Sequence, residues 1–461
     1  MYYTINEPDE LLGFINSQLK PKEKEKRENG EVFTPLFLVN EMLDKLDETY
    51  TKQYGKSIFT EVEFKWFDPA VGIGNFPIIV YQRLLKGLVM QIPNEEERRK
   101  HILEQMIYSA ELTSKNVFIY KKIFCDDKYK LNIYEGDTLK MSLEKFDVIL
   151  GNPPYNKGGI HSYTKKQLIK GQKSETIWTK FIEKSFGWLK PDGFLAFITP
   201  LSWLKKSHSL HNEMLEKHLV WLKLWDDSQS KGMINANIPI SLYVLQNTPN
   251  TTHKKTEIIS EIKRKKLTTT ATEYLNSKYS IPLAFHSIFR KLISFIETRN
   301  LQLEYKTKII KSSGTKEKIP TEYTFEDMWA IDTYTIKKGI MVKKALEQHL
   351  DANKRKLIIA NKSGFKGVFI DEGKLSLTGT EKIYILGENL ELILKIMNFE
   401  ISNILCDYTK YRMSFLDNEA FKYIPDIRKL GIVDITEDEF YKLIGLTHQE
   451  INQIKNPLLK E

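Results

Sequence analysis

The sequence predicts an α/β fold, an open sheet flanked by helices, followed by a second domain of α+β character. Three observations predict it. Phe64-Lys65-Trp66-Phe67 reads as a strand, Asp68 to Asn75 as a tight glycine loop and Phe76 to Leu84 as a helix. Met106 to Glu111 and Leu131 to Asp137 read as further strands, each with an acid at or just past its end. Phe146-Asp147-Val148-Ile149-Leu150 is a buried-type strand stopped by Gly151-Asn152-Pro153-Pro154-Tyr155, because two prolines cannot continue a ladder. In open sheets of this kind ligand chemistry gathers beyond the carboxyl ends of the strands.

Composition sets the outer limits. At 461 residues the chain is long for one core, and two domains are expected. Hydrophobic residues make up 41% and charged residues 28%, and no apolar run approaches the ~18 residues needed to span a bilayer, so no membrane role is expected. Met1 to Glu7 has neither the basic head nor the apolar core of a secretion signal. The two cysteines, Cys125 and Cys406, lie far apart without ligand spacing, so neither a disulfide framework nor a metal site is expected and a cytoplasmic protein is. A net charge of +9 tolerates an acidic partner.

Residues 1–29 form an N-terminal extension in which mixed charges from Lys20 to Glu28 suit a solvated helix. Thr34 is suited to cap the next helix and Pro35 to be its first residue, after which Leu38, Val39, Met42, Leu43 and Leu46 recur on one face. In the loop that follows the first strand, Gly72 and Gly74 let the backbone approach a ligand closely. The third glycine of a dinucleotide site and the Gly-Lys-Ser/Thr of a phosphate loop are both missing, which fits a cofactor without phosphates. Glu111, at its strand end, can accept both hydroxyls of a ribose. The Asn152 oxygen and the Pro153 carbonyl can accept the hydrogens of a planar amino group, while Tyr155 offers a face for stacking.

Taken in order, these segments resemble the amino-methyltransferases that use S-adenosylmethionine, in the gamma-type arrangement. Gly30-Glu31-Val32-Phe33-Thr34-Pro35 resembles the segment that lies against the methionine part of the cofactor. Asp68-Pro69-Ala70-Val71-Gly72-Ile73-Gly74-Asn75-Phe76 resembles the family's glycine motif, and Asn152-Pro153-Pro154-Tyr155 its catalytic turn. The resemblance implies a Rossmann-like methyltransferase sheet over residues 30–250 and a target-recognition domain over 251–461. It also implies a cofactor site of Phe33, Thr34, Pro35, Asp68, Pro69, Ala70, Gly72, Gly74, Phe76, Glu111, Asp137 and Asn152, with Asp137 accepting from the cofactor adenine. Asn152, Pro153, Pro154 and Tyr155 are then the catalytic residues.

Beyond Tyr155, Asn156 to Lys173 is rich in glycine and lysine and suits a loop that closes on a nucleic-acid backbone. A helix from Ile177 to Leu189, a turn at Lys190-Pro191-Asp192-Gly193 and a strand from Phe194 to Ile198 follow. His208, His211 and His218 fall on a helical-looking segment without metal-ligand spacing. Val220 to Trp225 and Ile238 to Leu245 close the sheet. Met233 to Pro239 has no aromatic where the family usually stacks one on the target base, so that wall of the pocket is unassigned. The basic run from Lys254 to Lys266 marks the expected domain boundary. Farther on, Lys337-Lys338, Lys343-Lys344, Lys354-Arg355-Lys356, Tyr408, Tyr411 and Arg412 suit phosphate contacts and base reading.

The implied activity is site-specific methylation of adenine N6 in double-stranded DNA, with a cognate restriction endonuclease as a separate chain. Three other readings share the same turn. They are a protein glutamine N5-methyltransferase, an RNA amino-methyltransferase and a DNA-binding protein with a vestigial cofactor fold. A fused nuclease is not expected, because the Glu-x-Lys spacing of Glu63-Phe64-Lys65 lies in the strand before the glycine loop.

Overall fold

The computed structural model describes residues 4–5, 7, 11, 34–156, 176–250, 254–307, 329–335, 339–344, 350–360, 364–377, 382–411 and 418–456. Phe33, Arg412, Lys337-Lys338, most of the N-terminal extension and the basic loop 157–173 lie outside them. Among the described residues no helix is long and apolar enough to cross a membrane.

The chain divides into two units, Met1–Tyr279 and Ser280–Glu461. In the first, α1 (Leu36–Tyr54) buries Leu38, Val39, Met42, Leu43 and Leu46, the predicted face. It ends at Gly55, whose φ of 74° lets its N–H reach the Thr51 carbonyl at 2.8 Å. β1 (Trp66–Asp68) leads through the glycine loop to α2 (Asn75–Gly87). β2 (Ile107–Glu111), α4 (Ser114–Ile123), β3 (Asn132–Glu135) and β4 (Phe146–Gly151) follow, with a short α3 (Glu95–His101) between α2 and β2. Then come α5 (Trp178–Trp188), β5 (Leu189–Pro200), α6 (Leu210–Leu215), β6 (Lys217–Trp225), α7 (Asp227–Ile234) and β7 (Ile240–Pro249).

These strands make one sheet of order β3-β2-β1-β4-β5-β7-β6, extended by β8 (Lys255–Ile262) and β9 (Leu267–Tyr274). β1 pairs in parallel with both β2 and β4, so the strand order reverses at β1 and opens a crevice between the ends of β1 and β4. A Rossmann sheet runs 3-2-1-4-5-6; here β7 is inserted antiparallel between β5 and β6. β1, β2 and β4 are buried along their whole length, as strands covered by helices on both faces must be. The expected α/β, Rossmann-like class holds.

Several local expectations change. Lys190 to Gly193 is a distortion inside β5, with Asp192 at φ 64°, and the β4–β5 register shifts beside it. His218 lies in β6 and not on a helix, whereas His211 sits on α6 with Nδ1 3.0 Å from the Trp203 carbonyl. The boundary falls after Tyr279 and not at 250, because β8 pairs with β6 along Trp221 to Trp225 and carries β9 with it.

The second unit is α+β. It contains two three-stranded sheets, β11-β10-β14 and β13-β12-β15, built from β10 (Trp329–Thr335), β11 (Gly339–Lys344), β12 (Arg355–Ala360), β13 (Val368–Glu372), β14 (Leu375–Leu377) and β15 (Lys382–Ile385). Tyr408 and Tyr411 are core residues here and not base readers; the Tyr411 hydroxyl donates to the Ile281 carbonyl at 2.8 Å. The 354–356 cluster is likewise engaged internally. Lys354 pairs with Asp351, Arg355 with Glu372 and Glu391, and the fully buried Lys356 with Asp371 at 2.5 Å.

Candidate active site

The crevice gathers the predicted residues from four strand ends. Asp68 ends β1 and is buried, its Oδ1 accepting the Ala70 N–H at 3.0 Å. Burial pushes its carboxyl up to about 8; the Ala70 N–H opposes the rise and the nearby Glu111 adds to it. Gly151, at the end of β4, lies against this carboxyl. A Cβ there would stand 2.7 Å from Asp68 Oδ1, and φ is 152°, so only glycine lets the two strand ends approach this closely.

Glu111 fixes the loop from the β2 side. Its Oε2 accepts the Gly72 N–H at 2.9 Å and its Oε1 the Thr113 N–H at 2.8 Å. Gly72, at φ 57°, has open space where a side chain would stand, whereas a Cβ on Gly74 would meet Phe124 at 2.9 Å. Gly72 thus faces the crevice and Gly74 packs on α4. Phe76 is buried in the core beneath the loop. At the end of β3 Asp137 accepts the Leu139 N–H at 3.2 Å, and Thr138 Oγ1 donates to the Pro69 carbonyl at 2.8 Å, tying that turn to the glycine loop.

Thr34 joins the glycine loop to the Asn152 turn. Its carbonyl accepts Asn75 Nδ2 at 2.9 Å, and its Oγ1 accepts Asn152 Nδ2 at 3.2 Å. Thr34 was expected to cap α1, but the cap position is Pro35 without a side-chain bond, because the Thr34 hydroxyl is turned to Asn152. Both amides are left with a buried acceptor, Asn75 Oδ1 and Asn152 Oδ1, that has no partner among the described residues. Such atoms are costly unless a ligand pairs with them.

Pro153 is buried and Pro154 half-buried. Tyr155 is partly exposed, but its hydroxyl is buried toward the core and burial raises its pKa. The Tyr155 carbonyl accepts the Ile177 N–H at 3.1 Å, and Asn156 bridges Thr176, so the ends of the basic loop are held together beside the turn.

Sequence reasoning missed two residues. Asn75 carries no sequence signal beyond its place in the glycine motif, and its role rests on a contact 41 positions away. Leu112, directly after the strand-end Glu111, is 70% exposed, an unusual exposure for a leucine and a surface suited to a flat apolar ring. The donor set fits S-adenosylmethionine: open backbone at Gly72, a buried acid for a cation, strand-end acids for hydroxyl and amino groups, and orphaned amide oxygens.

Part of the chain is similar to known proteins. Residues 77–229 match the Eco57I restriction-modification methylase family. A Mycoplasma pneumoniae protein described as an uncharacterized adenine-specific methylase is 36% identical over 85 residues, 18% of this chain and 19% of that one. The tRNA1(Val) (adenine(37)-N6)-methyltransferase of Porphyromonas gingivalis is 33% identical over 82 residues, 16% of this chain and 32% of that one. Among solved structures, the type I restriction-modification methyltransferase subunit from Streptococcus thermophilus superposes with a TM-score of 0.34 at 15% identity, covering 50% of this chain and 47% of that one. The chain spans less than a third of the length of these curated relatives. The resemblance to restriction-modification adenine methyltransferases is borne out: residues 77–229, which include the Asn152 turn but not the glycine loop, are matched by the Eco57I family of restriction-modification methylases.

Proposed function

We propose that this chain methylates the exocyclic N6 of adenine at a specific site in double-stranded DNA, with S-adenosyl-L-methionine as methyl donor. The observation that carries the reading is the Asn152 amide, held through Nδ2 by Thr34 while its buried Oδ1 has no partner among the described residues. The cofactor supplies an electrophilic methyl carbon on a sulfonium. Thr34, Asp68, Gly72, Asn75, Glu111, Leu112 and Asp137 would hold it.

The adenine amine is a poor nucleophile because its lone pair is delocalised into the ring. Asn152 Oδ1 and the Pro153 carbonyl accept its two hydrogens, draw the nitrogen toward a tetrahedral shape and free that lone pair. With the cofactor bound and its methyl carbon passing to the amine while sulfur keeps the bonding pair, the Asn152 and Pro153 oxygens would stabilise the positive charge on nitrogen until one proton leaves to solvent. The adenine must first leave the duplex stack at a cost of about a few kcal/mol, offset by stacking on the exposed part of Tyr155. The unit beginning at Ser280 takes the target-recognition role, with a restriction endonuclease on a separate chain as the partner.

The test is methylation of plasmid DNA, transfer RNA and a glutamine-bearing protein side by side with labelled cofactor. The tRNA arm is included because one relative is named for that substrate. Label in DNA at a single recurring adenine motif supports the reading. Label confined to tRNA or to the protein overturns it.

A further inference from the structure

The turn joining β8 to β9 is Lys263-Arg264-Lys265-Lys266, four exposed cations in a row. Its place follows from strand direction. β5 runs parallel to β4, β7 antiparallel to β5, β6 antiparallel to β7, and β8 parallel to β6. The two reversals cancel, so β8 runs with β4, and Lys263 emerges on the same sheet edge as Asn152. Four strand spacings of about 4.8 Å separate β4 from β8, roughly 19 Å in all.

This turn is held in place. The Arg264 N–H donates to Asp226 Oδ2 at 2.9 Å and its guanidinium pairs with Asp227, both at the start of α7. Lys266, at φ 50°, closes the turn with its N–H on the Lys263 carbonyl at 3.1 Å. α7 adds the exposed Lys231. The neighbouring acids are occupied: Asp226 also caps α7 through the Gln229 N–H, and Glu261 accepts from Trp225 and Gln229 and pairs with Lys223. Lys231, Lys263 and Lys266 join no ion pair among the described residues. Positive charge is thereby left facing solvent on the edge where the chemistry is placed.

We propose that Lys231 and the Lys263–Lys266 turn form a phosphate-binding ridge, with which the methyltransferase unit itself grips the duplex beside the target adenine. The separation from Asn152 corresponds to roughly five or six base pairs at about 3.4 Å each, so the ridge meets backbone flanking the extruded base. It contacts phosphates and therefore anchors without reading sequence. The inference rests on the proposed activity and deepens it.

The test compares wild type with a triple variant, Lys231→Ser, Lys263→Ser and Lys266→Gly, the last suited to the left-handed backbone. Affinity for a duplex carrying the methylated motif and for an unrelated duplex is measured by anisotropy across a salt series, and cofactor affinity by calorimetry. About tenfold weaker binding to both duplexes is expected, with a log–log salt slope smaller by about 2.7, since each lost contact removes about 0.9. Cofactor affinity stays unchanged, and arginine at positions 231 and 263 restores most of the binding. Wild-type methylation of DNA with an unchanged slope in the variant overturns the ridge alone. Wild type that neither binds nor methylates any duplex overturns the proposed activity, and the ridge with it.

Discussion

Asn152 Nδ2 donates to Thr34 Oγ1 across 3.2 Å, although the two residues are 118 positions apart. This bond decides which end of the Asn152 amide faces the target, because the nitrogen is occupied and the oxygen is left to accept. Thr34→Val keeps the shape and removes the acceptor. Methyl transfer at saturating cofactor should slow by about tenfold, the loss of roughly one hydrogen bond's worth of orientation. Thr34→Ser should behave as wild type. An equal loss in both variants would mean that packing, not the hydroxyl, is what matters.

Removing the amide itself should cost more. Asn152→Ala takes away one of the two acceptors for the amine, and a loss of about a hundredfold or more in turnover is expected, comparable with deleting an oxyanion-hole donor. Cofactor binding measured by calorimetry should survive. Near-normal transfer by the variant would place the chemistry elsewhere.

Asp68 gives a pH dependence whose sign is fixed. Its carboxyl titrates near 8 in the folded chain against 3.8 for the free group, so the folded state holds a proton that the unfolded state has released. Its contribution is fully present below about pH 3.8 and is lost as pH rises toward 8. The denaturant midpoint of wild type should therefore fall between pH 5 and 8 relative to Asp68→Asn, which lacks the titration. The cationic cofactor favours the ionised form, so binding near pH 7 should release a proton, seen as a buffer-dependent heat in wild type and absent in Asp68→Asn.

The parts legible in the sequence were those encoded by local backbone demands. Gly72, Gly151 and the two prolines announce a loop and a stopped strand wherever they stand, and their order along the chain placed the crevice. Contacts between distant segments were not legible. Thr34 looked like a helix cap because its hydroxyl has two competing uses, and only the fold brings Asn152 within reach. The lysines at 263–266 and 354–356 look alike as charge runs, yet the first turns outward on the sheet edge and the second is closed by Asp351, Asp371, Glu372 and Glu391. β9 was missed because its threonines alternate without an apolar face strong enough to signal a strand.

Gly151→Ala should damage the crevice without touching any catalytic group. The added Cβ would stand 2.7 Å from Asp68 Oδ1, and a φ of 152° is one that alanine resists, so β4 or Asp68 must shift. A loss of about 1–3 kcal/mol in stability is expected, the usual range for overpacking. Because the displaced carboxyl is one of those proposed to hold the cofactor, cofactor affinity should fall by more than tenfold. Gly187→Ala, on the surface of α5 where a Cβ meets nothing within 4 Å, is the matched control and should leave both measurements unchanged or slightly improved. If Gly151→Ala bound cofactor as wild type does, the contact between the two strand ends would have no part in forming the site.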